Sequence, residues 1–273
     1  MILPEQIPPS LRCQLWASIV SIACFLRGLP LFFRATPKTP LRVLCLIAFD
    51  TLHFLRTSTP LPRHRVRVLA TLLDFGACSN ADLDRKAFCP QEYQALRQRI
   101  EKLGVTSWVD EYLPRLQDLE RRRPSPGGDH RRFDEVRSYR ESVARLSLGT
   151  VVAIALGEEC VEDGIRAIRN DHDLATLFRV VMLCQIIDDV LDYGGDLSAE
   201  LPSFLTATPS LPQAIALTTD ASRTYAAAPG RSTGRSVFPL EASLYVLTAV
   251  TKLAVAMARR SEPRHASTAG QGP

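Results

Sequence analysis

The chain predicts an all-α fold, and three observations carry that expectation. Apolar residues recur at helical spacing along most of its length, strand-like alternation is nearly absent, and the breaks carry Pro, Gly, Ser and Asp. With 273 residues, of which 46% are apolar and 23% charged, the chain can bury a sizeable core as one large domain or two small ones. A net charge of +4 is too small for a dedicated nucleic-acid binder, so no nucleic-acid partner is expected. It remains compatible with an anionic ligand or an anionic membrane surface.

The elements follow in order. Residues 1–40 hold an apolar stretch, with a helix expected over 10–27. Arg27 and Pro30 interrupt it, and the uncharged run between Arg12 and Arg27 is too short to cross a bilayer. The opening MILPEQIPPS lacks the basic leader of a signal peptide. A core helix or one lying on a membrane surface is the expectation there. A helical domain over 41–260 follows, with helices at 40–57, 64–78, 90–103, 106–121, 132–156, 160–169, 172–193, 210–227 and 236–260. RTSTPLP, RRRPSPGGDHRR, GGDLSAELPS and AAAPGRSTGRS punctuate them. The tail 261–273 is too polar to pack and is expected to be disordered. The odd set of seven cysteines, none in a C-x-x-C pair and most inside apolar runs, predicts buried free thiols and a cytoplasmic setting.

One segment carries chemistry. LFRVVMLCQIIDDVLDYGGD runs from Leu177 to Asp196, and its first part is apolar on nearly every face, which predicts a buried helix. Asp188 and Asp192 fall one turn apart on a single face, Asp189 flanks them, and Asp196 continues the stripe. Clustering carboxylates in an apolar wall is costly through repulsion and desolvation, and a bound cation removes that cost. Magnesium suits the arrangement, because it takes one or two carboxylates and fills its shell with water and substrate phosphate. Asp188, Asp189 and Asp192 are therefore candidate magnesium ligands, and a solvated helix end is the bland alternative. Gly194–Gly195 also reads as a helix end.

A diphosphate's metal cluster needs a second acidic wall, and LLDFGACSNADLDRK, from Leu72 to Lys86, is the best candidate. Asn80 and Asp84 share a face there, while Asp74 lies about 80–120° around an ideal helix from them. Asp74, Asn80 and Asp84 are the candidate ligands from that wall. In RRFDEVRSYRESVARLSLGT, Arg137, Arg140 and Arg145 are candidate phosphate contacts and Tyr139 a candidate pocket residue, against a solvated helix start, with Glu135 and Glu141 pairing, as the plainer reading. Gln185 and Arg85 complete the expected substrate contacts.

QIIDDVLDYGGD resembles the second aspartate-rich motif of trans-prenyl diphosphate synthases. With ARLSLGTVVAIAL upstream and GDLSAELPSFLTA downstream, the wider context resembles squalene/phytoene synthases and large bacterial terpene synthases, over roughly residues 64–227. The resemblance implies a single-domain class I terpenoid synthase-like bundle around a central cavity. It also implies a magnesium-dependent loss of diphosphate from a prenyl substrate, followed by cyclisation or head-to-head coupling. Asp84–Arg85 matches the end of such families' first motif, and Arg223 with Tyr225 resembles their diphosphate-sensing pair. No DDxxD stands at the first motif, a departure that argues against chain elongation. The alternatives are a non-catalytic prenyl-binding or regulatory member of the fold and a chain-elongating transferase. A membrane-embedded aromatic prenyltransferase ranks last. Peripheral membrane contact through the N-terminal apolar helix and a homodimer are both compatible with this reading.

Overall fold

The computed structural model describes residues 59–83, 89–126, 130–227 and 238–260, together with scattered positions between 19 and 57. Every regular element among the described residues is a helix. In chain order these are α1 (Arg63–Leu83), α2 (Pro90–Lys102), α3 (Thr106–Arg121), α4 (His130–Leu156) and α5 (Val161–Asn170). They continue as α6 (His172–Leu191), α7 (Tyr193–Ser198), α8 (Leu211–Ala226) and α9 (Phe238–Arg260). The expected disordered tail, and most of the expected helices over 10–27 and 40–57, lie outside the described residues.

The chain forms two compact units whose segments interleave. One holds Met1–Arg122, Ser142–Phe178 and Arg231–Ala242; the other holds Arg123–Glu141, Arg179–Gly230 and Ser243–Pro273. In the first unit, Tyr112, Leu116, Leu146 and Val161 form a buried cluster from α3, α4 and α5, backed by Trp108, Val143 and Ile165. The helical spacing of 108, 112 and 116 explains why α3 presents one apolar stripe to that cluster. α4 and α5 approach closely at two glycines: a Cβ on Gly164 would collide with the Gly149 carbonyl oxygen and sit 2.8 Å from the Ala153 Cβ. α1 packs on α2 through Phe75 and Tyr93, whose ring centroids are 5.3 Å apart. Within the second unit, Phe133 of α4 meets Phe204 at 5.9 Å.

Helix ends explain most boundaries. α2 starts with Pro90 at its first position and stops at Gly104, whose φ of +69° favours glycine. The Gly104 N–H bonds to the Glu101 carbonyl and the Val105 N–H to the Ile100 carbonyl, which satisfies the last turn.

Three expectations need correction. The helix expected over 64–78 runs on to Leu83, because Phe75 and Ser79 are buried and hold the turns after Gly76. The helix expected over 172–193 ends at Leu191, and the Gly194–Gly195 pair lies inside α7 instead of stopping it. The true stop is Glu200, at φ +53°, with the Leu201 N–H closing onto the Asp196 carbonyl at 2.9 Å. A side chain in that conformation costs about 1–2 kcal/mol, so Glu200→Gly should raise unfolding stability by roughly 1 kcal/mol in a urea titration. Finally, the described cysteines are free, yet none is fully buried, and Cys89 is exposed where it precedes α2.

In the N-terminal apolar stretch the described large hydrophobics Ile19, Ile22 and Leu26 are all exposed. At these positions the stretch does not act as core.

Candidate functional site

The composition of α6 decides where each carboxylate points. Met182 and Ile186 are fully buried, and Asp189 follows at seven and three residues, so it lies on the same inward face. Asp188 and Asp192 are exposed. The Asp192 N–H donates to the Asp188 carbonyl at 2.8 Å, so the one-turn relation survives the end of α6 and keeps both acids on one face. Asp196 does not extend that stripe: it is buried, and it lies near enough to Asp189 to raise its pKa. The acidic segment thus divides into an outward pair and an inward pair.

Asp189 is 1% exposed, and its oxygens are engaged. Oδ1 accepts from Arg140 Nη2 at 3.0 Å and from Gln185 Nε2 at 2.9 Å. Oδ2 accepts the Phe204 backbone N–H at 2.8 Å. Burial pushes this carboxyl up to about 6, Asp196 adds to the rise, and Arg140, the Phe204 N–H and Gln185 oppose it. The folded-state value lies above that of an unfolded aspartate, so folding takes up a proton between about pH 4 and 6. The carboxyl therefore favours the fold as pH falls through that window and loses this contribution as pH rises past 6. Carbon-13 NMR of the side-chain carboxyls should show Asp189 titrating near 6, and Asp196→Asn should lower that midpoint.

The Phe204 N–H belongs to a loop that is itself interior. Leu201–Thr208 is buried throughout, which a connecting segment tolerates only if its polar groups find partners. They do. The Ser203 N–H donates to Thr206 Oγ1 at 2.8 Å, Thr206 Oγ1 donates to the Leu201 carbonyl at 2.6 Å, and Thr218 Oγ1 donates to the Phe204 carbonyl at 3.2 Å. Asp189 supplies the remaining anchor, so it fixes this loop to α6.

A second polar cluster surrounds Tyr225. Its hydroxyl donates to Glu141 Oε1 at 2.7 Å, and Arg137 Nε donates to the hydroxyl oxygen at 3.1 Å and to Glu141 at 3.2 Å. Burial and the Glu141 carboxylate push the Tyr225 phenol above its ordinary range. Arg179 caps the end of α8 by donating to the carbonyls of Tyr225 and Ala226 at 2.7 and 2.9 Å. Sequence reading singled out Tyr225 and missed Arg179, the Phe204 amide and the role of Glu141 towards Tyr225. The i,i+4 spacing of Arg137 and Glu141 was the available signal for part of this cluster.

The remaining candidates are dispersed. Arg223 makes an exposed ion pair with Asp220 at 2.9 Å, and it is Arg137 that contacts the Tyr225 hydroxyl. Arg145 lies over the Phe178 ring at 4.7 Å, in the first unit. Tyr139 is half-buried on α4, and Asp74 is half-buried on α1, which also carries Asn80. Asp84 and Arg85 lie outside the described residues.

Two exposed carboxylates one turn apart suit a single magnesium ion that completes its shell with phosphate and water. Asp189 does not suit it, because its oxygens already serve three donors. Among the described residues no group of three or more His, Cys, Asp or Glu side chains is arranged to hold a metal. Compared with family models, curated proteins and solved structures, the chain matches none.

Proposed function

We propose that this all-α protein is a class I terpenoid synthase-like enzyme that ionises a prenyl diphosphate at Asp188 and Asp192. The observation that supports this reading is the outward acidic pair at the end of a largely apolar helix, with the third acid of the motif locked inside. Asp188 and Asp192 would hold magnesium, which when bound neutralises the diphosphate and stabilises charge as the C–O bond breaks. The chain's own residues do the positioning. Asp189 ties α6 to Arg140 and to the interior loop, so the outward pair projects from a fixed backbone. Arg140 then serves Asp189 first, and its guanidinium reaches a diphosphate only by sharing.

Cyclisation and head-to-head coupling both follow from the same ionisation. Incubating the full chain with one labelled prenyl diphosphate at a time, of increasing length and with or without NADPH, separates them by product mass. Magnesium-dependent release of diphosphate is the expected result. No release from any chain length, with the protein folded, would overturn the proposal.

One observation favours a second reading, a non-catalytic binder of prenyl ligands. Engagement of Asp189 by three donors leaves two acids of the motif for metal, where class I chemistry uses several ions. Magnesium-dependent binding of prenyl diphosphate without release would select this reading.

A further inference from the structure

Helix α9 has apolar side chains on both of its faces. On one side Leu240, Thr251, Ala254 and Val255 are buried. On the opposite side Tyr245, Val246, Val250, Leu253 and Met257 are exposed, with Tyr245 at 79% and Leu253 at 61%. At 100° per residue these five fall within a single sector of about 140°, and Ala249 and Ala256 fill the gaps between them. The outward face is therefore continuous, and between Leu240 and Arg259 no charged residue falls inside it. A helix that is apolar all round is normally enclosed on every side, and this one is enclosed on one. Residues 240–259 are long and apolar enough to match a membrane span by length and composition, yet the inner face is spent on the protein. A helix whose inner face is occupied in this way can meet a bilayer only along its outward face, lying in the interface and not crossing it.

Charge decides which partner suits the face. Lys252 and Arg259, both exposed, border it along one edge, and Arg260 ends the helix; Glu241, at the far end, is the one acid within α9. Basic side chains flanking an apolar sector complement anionic headgroups, with their stems lying along the acyl boundary. Tyr245 adds an aromatic ring of the kind enriched at that depth.

We infer that the exposed face of α9 is a docking surface for an anionic lipid bilayer, an inference that does not depend on the proposed enzymatic activity. The test uses the full chain and vesicles of phosphatidylcholine, with and without phosphatidylglycerol, in co-sedimentation at low and high salt. Binding is expected only with phosphatidylglycerol and should weaken in high salt. Val246→Asp with Leu253→Asp should lower vesicle affinity by at least about tenfold, with helical content by circular dichroism unchanged. Lys252→Glu with Arg259→Glu should abolish binding to the phosphatidylglycerol vesicles. Failure of the wild-type chain to sediment with either vesicle overturns the inference, as does undiminished binding by the aspartate pair. A wild-type dimer that the aspartate pair converts to monomer, with no vesicle binding by either form, overturns it in favour of a second copy.

Discussion

Replacing Asp188 and Asp192 together by alanine is expected to cut magnesium-dependent diphosphate release by about a thousandfold while leaving the fold intact. The size follows from removing charge stabilisation at a breaking bond, where even one directed donor is worth about a hundred- to a thousandfold. The harmlessness to the fold follows from exposure: both side chains lie on the outer face of α6, and surface substitutions cost about 0.5 kcal/mol or less. Rate and thermal midpoint measured on the same preparation check both halves. Loss of activity together with loss of structure would mean the pair is structural. Retained activity would remove it from the chemistry.

The opposite pattern is expected one residue away. Asp189→Ala leaves the Arg140 guanidinium, the Phe204 N–H and the Gln185 amide without their common acceptor, in a place where water does not replace it. Breaking a buried ion pair from one side costs about 3–5 kcal/mol, which for a chain of this size lowers the melting midpoint by roughly 10 °C. Any activity lost in Asp189→Ala should therefore track unfolding and recover on cooling. A scanning-calorimetry shift of less than a degree or two would show that the loop does not depend on this carboxylate.

These two results divide a motif whose sequence reads as one unit. Asp188, Asp189 and Asp192 look alike in the chain, and helical spacing correctly places the first and third on one face. What spacing does not reveal is which face the protein buries. α6 is apolar on nearly every side, so the pattern carries no orientation, and the depth of Asp189 depends on Arg140, 49 positions away in sequence. Distant partners of this kind leave no local signature.

The helices themselves are legible because α2, α3 and α5 carry single buried stripes and clear boundaries, such as the start at Pro90 and the stop at Gly104. Legibility fails where a conformation is paid for by unusual residues. Glu200, not a glycine, occupies the left-handed stop after α7. The interior loop Leu201–Thr208 satisfies its backbone with Ser and Thr hydroxyls, residues that in a sequence read as ordinary surface turn. Tyr225 was recognisable as a candidate, yet the acid that accepts its proton bond, Glu141, lies 84 positions earlier.

Metal capture by the outward acids is tested most directly by paramagnetic NMR. Manganese added with inorganic pyrophosphate should broaden amide signals around Asp188–Asp192 first, and the Asp188→Asn, Asp192→Asn double variant should abolish that broadening. Unaffected signals in that segment, or broadening that survives the double substitution, would contradict a metal site at these two carboxylates.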